Sequence, residues 1–484
     1  MVGPAKACQA TTLMPEKIAR RVLIGTFALL VSVQLAYLGW IGNGLGQFTD
    51  SFSEANVIRA VDAYLHDGIT SHYGLARSIY GNKFPGDGFV LSRIDARGQV
   101  PAEFRQGFPA SAAAPNEWVY THYPPGPEFV CWFLVSLFGN EHLWVLRLFP
   151  LCLCLLATAV FFKTMAKAFG TDRAALVAIA CVLLPMFNTY MPGLHFQGYS
   201  WALFLLQMSL LMWMYWTREA APRWCWPALF LLGFGQGWLS FDQFFVIGLV
   251  AWPLWLLRRS EGVALFRTHL ALPVMLAFAG FGLAHVLHFL QVAGELGGLS
   301  AALTEFRNTA VERVNQASAG VPLMLQRHMF AFLQADSARV SYFRSLILGL
   351  YQYIRDFLHP QAAQFFPLFP LAVILGVLTA LFRRIELNLP CADKSTPLKL
   401  SLSWPNNKRT WWTLIAALFV SVIWLLVMPA HSVGNHHITV RHFFVFYFFL
   451  VLILVRSLRV SRPGQSGNED AVVNVETYRE PLRH

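Results

Sequence analysis

The chain runs again and again through apolar stretches near the length of a bilayer crossing, and its strong basic clusters fall at alternate breaks between them. A spanning helix needs about 20 mostly apolar residues. In hydrocarbon every backbone polar group needs an internal partner, so such stretches must fold as helices. Composition agrees: of 484 residues, 56% are hydrophobic and 13% charged, against about 25% charged in soluble domains. The 41 Phe and 16 Trp suit lipid-facing and interfacial positions.

The order of spans follows from the charges. Lys17, Arg20 and Arg21 precede the run Val22 to Ile41, which reads as an uncleaved first span with the N-terminus inside. After a long loop, Leu143 to Phe162 runs inward to Lys163 and Lys167, Ala174 to Tyr190 runs outward, and Tyr199 to Trp216 returns to Arg218 and Arg223. Trp226 to Leu239 and Phe244 to Leu257 form a hairpin with an external tip at Ser240 to Gln243. Leu270 to Gln291 runs out, Phe365 to Phe382 returns to Arg383 and Arg384, residues 385–410 read as a polar, basic loop with Lys394, Lys399, Lys408 and Arg409, and Trp411 to Met428 and Val440 to Val455 complete the set. The fold class predicted is an all-α polytopic membrane protein with about ten transmembrane helices. Residues 1–21 form a cytoplasmic tail, 22–460 the transmembrane domain, and 461–484 a polar, disordered cytoplasmic tail. The net charge of +11 is spent on orientation rather than on nucleic acid. The 7 cysteines include no CxxC pair, so neither a zinc site nor a disulfide framework is predicted.

Two large external loops, about 42–142 and 292–364, break the regular alternation. In the first, Val57, Val61, Tyr64 and Leu65 share one face of a helix over 53–65, which predicts an amphipathic helix on the membrane surface with Gly68 as its C-terminal cap. Residues 81–116, rich in Gly, Pro, Ala and Ser, read as a loop. Tyr123-Pro124-Pro125-Gly126-Pro127 then turns the chain into a second interfacial helix over 127–138. In the second loop, Leu299 to Val314 is amphipathic.

Several residues could carry chemistry at the external face. Asp50 and Glu54 follow the first span, where a carboxylate could accept a proton. Ser51-Phe52-Ser53-Glu54 also matches a capping box, so the residues alone leave Glu54 two roles, base or cap. His431, His436, His437, Arg441 and His442 cluster at the last external turn. Arg441 is a cation opposite the other basic clusters, suited to a phosphate or to snorkelling among headgroups. His285 and His288 lie one helical turn apart near the external end of their span, suited to phosphate, proton transfer, metal or plain hydrogen bonding. Arg327, Arg339, Arg344 and Arg355 in the second loop read as solvated faces.

A first span, an acidic residue opening an interfacial helix, and Tyr123-Pro124-Pro125 before a second one resemble the GT-C class of glycosyltransferases. The pattern is most similar to the bacterial branch of lipid A aminoarabinose transferases and protein O-mannosyltransferase relatives. The likeness covers the order of spans and both large loops. It departs at Ser53, where the branch has Asp before the Glu, and at Asp242 on the hairpin tip, where relatives often carry Lys.

The resemblance implies transfer of a sugar from a polyprenyl-phosphate donor to a lipid, glycan or protein acceptor at the external, periplasmic face of a bacterial inner membrane. Glu54 or Asp50 would be the base. Arg441, with His436, His437 and His288, would hold the donor phosphate. His122, Tyr123, Pro124, Pro125 and Asp242 would line the entrance. No cofactor is assigned and no residue set is singled out as a metal site, though the external histidines leave a divalent metal open. No nucleotide-binding fingerprint is visible, which disfavours a nucleotide-sugar donor. The rival class is a transporter or flippase; such proteins often carry paired repeats, and none is evident in this chain.

Overall fold

The computed structural model describes residues 13–42, 68–76, 124–139, 143–183, 191–216, 222–239, 248–258, 270–315, 338–358, 368–382, 384–389, 398–404, 408–434 and 440–461, with separate positions within 54–65 and at 119 and 121. The described chain is mostly helical. In order, α1 is Glu16–Ile41, α2 Gly126–Phe138, α3 Leu143–Phe169, α4 Thr171–Val182, α5 Phe196–Trp216 and α6 Cys225–Leu239. Then come α7 Ala251–Arg258, α8 Leu272–Glu295, α9 Leu299–Asn315, α10 Ala338–Leu358 and α11 Leu368–Phe382. Strands β1 Arg384–Leu389 and β2 Leu398–Ser403 precede α12 Lys408–Val427, α13 Pro429–Gly434, α14 Phe444–Ser457 and β3 Leu458–Ser461.

Among the described residues, 4 helices are long and apolar enough to cross a membrane: α1, α3, α8 and α12. At 1.5 Å per residue, the 26 residues of α1 extend roughly 39 Å, more than a hydrocarbon core of about 30 Å. One face of α1 is buried through Thr26, Leu30, Gln34 and Leu38, spaced i, i+4, and packs on α4 and α3. Its other face presents Ile24, Leu29, Leu35 and Trp40 outward, as a lipid-facing helix requires. The main core lies where α3, α4, α5, α12 and α14 meet, with Phe161, Phe204, Phe444, Phe448 and Phe449 fully enclosed.

Small residues set one close helix pair. A Cβ on Gly233 of α6 would stand 2.0 Å from the Ala277 carbonyl oxygen, and one on Gly280 of α8 would stand 2.0 Å from that of Phe230. Only glycine lets these backbones approach so closely, the usual device where apolar tails give helices no reason to separate from lipid.

The stretch 385–410, expected as a polar basic loop, contains strands. β1, β2 and β3 form an antiparallel sheet in that order. β1 follows α11 after one residue and β3 follows α14 directly, so this small sheet extends the helical bundle at one end. In register, Ile385, Leu387 and Leu389 stand opposite Leu402, Leu400 and Leu398. That period-2 alternation is the strand signature. Residues 1–12, 77–118 and 462–484 lie outside the described set, and with them the expectations for the tails and the 81–116 loop.

Candidate functional site

The described positions within 54–65 are helical, and Val57, Val61 and Tyr64 share a buried face as their spacing predicts, whereas Leu65, expected on that face, is 45% exposed. Val57, Ile58 and Val61 are buried against Cys131, Leu134 and Val135 of α2 and Leu143 and Leu146 of α3. Gly68 ends this helix: its φ is 87° and its N–H closes on the Tyr64 carbonyl at 3.0 Å. The two first-loop stretches marked by sequence therefore pack on each other, and Tyr64 meets Phe129 with ring centroids 5.7 Å apart.

Glu54 sits at the centre of this contact and is 0% exposed. Its carboxylate takes both arms of the Arg147 guanidinium, Nη1 to Oε1 at 2.7 Å and Nη2 to Oε2 at 2.9 Å. The Leu194 N–H donates to Oε1 at 3.1 Å, and Arg147 Nη1 also donates to the Pro192 carbonyl at 3.1 Å. A forked, charge-assisted pair of this kind is strong and directional. Here it ties the first loop, span α3 and the chain at 192–194 into one junction. Both oxygens are engaged, so Glu54 would have to leave Arg147 before taking a proton. Arg147 was missed in the sequence; its signal was a lone cation inside an apolar run.

The second first-loop stretch is held just as firmly. Pro124 and Pro125 are buried, and Pro125 caps α2. A Cβ on Gly126 would stand 2.1 Å from the Trp238 carbonyl oxygen, so the first turn of α2 sits tight against the end of α6. Upstream, the Thr121 hydroxyl donates to Glu305 Oε1 of α9 at 2.7 Å. His288 Nε2 of α8 lies 2.9 Å from the Thr121 carbonyl. That carbonyl can only accept, so Nε2 carries the proton. His288, expected at a donor phosphate, is fully buried and engaged with the Thr121 carbonyl. Its helix partner His285 lies 3.2 Å through Nδ1 from the Phe281 carbonyl.

A cleft of about 670 Å³ opens beside this junction, walled by Ile69, Tyr73, Gly74, Phe129, Trp238, Leu287 and Gln291 among others. Its rim is strained: His72 and Tyr73 hold φ of 55° and 54°, a left-handed conformation that costs about 1–3 kcal/mol per residue. Three contacts hold it there. His72 Nδ1 is 2.8 Å from Glu295 Oε1, Gln291 Nε2 donates to the Tyr73 carbonyl at 2.9 Å, and the Tyr64 hydroxyl donates to the Gly74 carbonyl at 2.8 Å.

Next to Phe129 in the chain is Glu128, in the first turn of α2 and 4% exposed. Its Oε2 is buried with no hydrogen-bond partner among the described residues. Burial pushes this carboxyl up to about 7, and a hydrogen bond from its own backbone N–H pulls weakly the other way. Tyr64 is held well above the usual phenol range by burial and then by Glu128. Cys131, one turn along α2, lies within electrostatic reach of Glu128 and of both members of the Glu54–Arg147 pair.

Between α12 and α14, Trp424 of α12 gathers two of the expected histidines. Its Nε1 donates to His431 Nδ1 at 3.3 Å, and the His442 ring meets it edge-on at 6.0 Å. His442 is 2% exposed. Arg441 lies in the 3₁₀ turn Val440–Phe443, next to this cluster in sequence; its side chain lies outside the description. Asp50, His122, Tyr123, Asp242, His436 and His437 also lie outside the described residues. Helix α9 packs on α8 and on α13, so it links the entrance junction to the turn that carries His431.

No family model matches the chain, and neither a curated protein nor a solved structure does.

Proposed function

We propose that this chain is an integral membrane glycosyltransferase of GT-C type. It takes a sugar from a polyprenyl-phosphate donor and passes it, with inversion, to a lipid, glycan or protein acceptor at the external face. The finer topology belongs to the same reading: about ten spans, both termini inside, and a periplasmic site in a bacterial inner membrane.

One observation carries it. The two first-loop stretches marked by sequence as halves of an entrance pack together beside a cleft, and both are tied to apolar spans through Glu54–Arg147 and Thr121–His288. Such a junction supports a fixed external entrance over helices, as lipid-linked chemistry needs. The apolar wall of the cleft suits a hydrocarbon tail, and the histidines around Trp424 suit a leaving phosphate beside Arg441. Attack of an acceptor hydroxyl at the anomeric carbon expels the lipid phosphate with its bonding pair.

The purified full chain, reconstituted in lipid and given a set of labelled polyprenyl-phosphate hexoses and pentoses with a membrane-extract acceptor, is expected to release lipid phosphate and label the acceptor. Uptake or flipping of the labelled lipid with its sugar bond intact would replace this reading with the transporter.

A further inference from the structure

Glycosyl transfer to a hydroxyl needs somewhere for the proton to go, and the sequence offered Glu54 or Asp50. Glu54 is closed by a bidentate guanidinium and a backbone N–H. One turn into α2 a second carboxylate stands in the opposite condition. Glu128 Oε2 is buried and has no hydrogen-bond partner among the described residues, and the same holds for the hydroxyl of Tyr199 on α5, within electrostatic reach of it. Buried polar atoms are nearly always satisfied, so two unsatisfied ones within electrostatic reach of each other in a packed interior point to a group that arrives from elsewhere. Glu128 does not itself wall the cleft, but its neighbours do: Phe129, the next residue, and Trp238, against which Gly126 is pressed, both line it, and Tyr64, within electrostatic reach of Glu128, is hydrogen-bonded to Gly74 on the rim.

We infer that Glu128 is the proton acceptor for the attacking hydroxyl, while Glu54 holds the junction in place; this rests on the glycosyl-transfer reading above. The acceptor O–H proton passes to Glu128. The acceptor oxygen bonds to the anomeric carbon, the bond from that carbon to the lipid phosphate breaks, and the phosphate leaves with the electron pair. Glu128 then returns its proton to water. A carboxyl held near 7 by burial is matched to such a task at neutral pH, unlike an exposed one. Among the described residues, the titratable groups that interact with it are Tyr64, Cys131 from its own helix and Tyr199 from α5, and Cys131 in turn interacts with the Glu54–Arg147 pair. Among the described residues, no cation contributes to the shift of Glu128.

The test follows turnover against pH for the reconstituted wild type, Glu128→Gln and Glu128→Asp, with thermal unfolding of each. Wild-type turnover should rise with loss of one proton near pH 7. Glu128→Gln should fall about 100-fold or more, the range of general-base catalysis, and lose that pH step while unfolding normally. Glu128→Asp, a base of shorter reach, should keep the step at an intermediate rate; it decides the matter if the Gln variant fails to fold. Turnover of Glu128→Gln within threefold of wild type, with the pH step retained, would overturn the assignment. A wild type that transfers no sugar from any donor would instead sink the glycosyl-transfer reading, and the assignment with it.

Discussion

Glu54 and Glu128 are two buried carboxylates, and their surroundings differ in what meets the carboxylate oxygens. Glu54 faces a guanidinium that matches both its oxygens. Glu128 faces phenols, a thiol and an aromatic wall. Burial costs a charge heavily in either case. The pairing with Arg147 offsets that cost and holds Glu54 in place. Without such a partner, Glu128 is shifted toward its neutral form and can gain or lose a proton near neutrality. Position beside a cleft therefore does not by itself mark a reactive acid; what the acid is paired with decides.

The strongest way to break this contrast is to remove one half of the pair. Glu54→Leu should cost about 3–5 kcal/mol, because it strands a buried guanidinium. Glu54→Leu with Arg147→Met should recover most of that loss, and unfolding of the purified protein in detergent would show both. A single variant costing under about 1 kcal/mol would mean the pair contributes little to the fold.

Next comes the pH dependence of Glu128. Its folded value of about 7 stands above the unfolded 4.5. The folded state therefore favours the bound proton, and the contribution is full below 4.5 and lost as pH rises through 7. At about 1.36 kcal/mol per unit this amounts to about 3 kcal/mol across the window. Unfolding at pH 5 against pH 8 measures it, and Glu128→Gln should remove the difference.

A control away from both acids sharpens the comparison. Gly280→Ala places a Cβ 2.0 Å from the Phe230 carbonyl oxygen, and overpacking of this kind should cost about 1–3 kcal/mol at every pH. The smallest effect is expected from Thr121→Val, which removes a hydroxyl donor to Glu305 and should cost about 1 kcal/mol, read as a small drop in unfolding temperature with the cleft intact.

What was legible in the sequence was local. The Val57, Val61 and Tyr64 spacing gave the interfacial helix, and Gly68 its end, because caps and faces are set within a few residues. Apolar length gave α1, α3, α8 and α12. The partner of Glu54 was not legible, since Arg147 lies 93 positions away and only the fold brings them together. Glu128 was not legible as a site, since an acid in a helix's first turn has an ordinary place beside the helix dipole and only the fold shows it buried without a partner for Oε2. The strands were visible as alternating Leu398, Leu400 and Leu402, but the Lys and Arg around them carried the reading to a loop.

The contrast between the two acids is tested most directly by infrared difference spectroscopy of the reconstituted protein, following the carbonyl band of protonated carboxylic acid from pH 5 to 9. A buried protonated band that disappears near pH 7, is absent from Glu128→Gln and is unchanged in Arg147→Lys is the predicted result. A band that survives Glu128→Gln would contradict it, and so would one lost when Arg147 is altered: the titrating acid would then be another group, and Glu54 would no longer be the fixed member of the two.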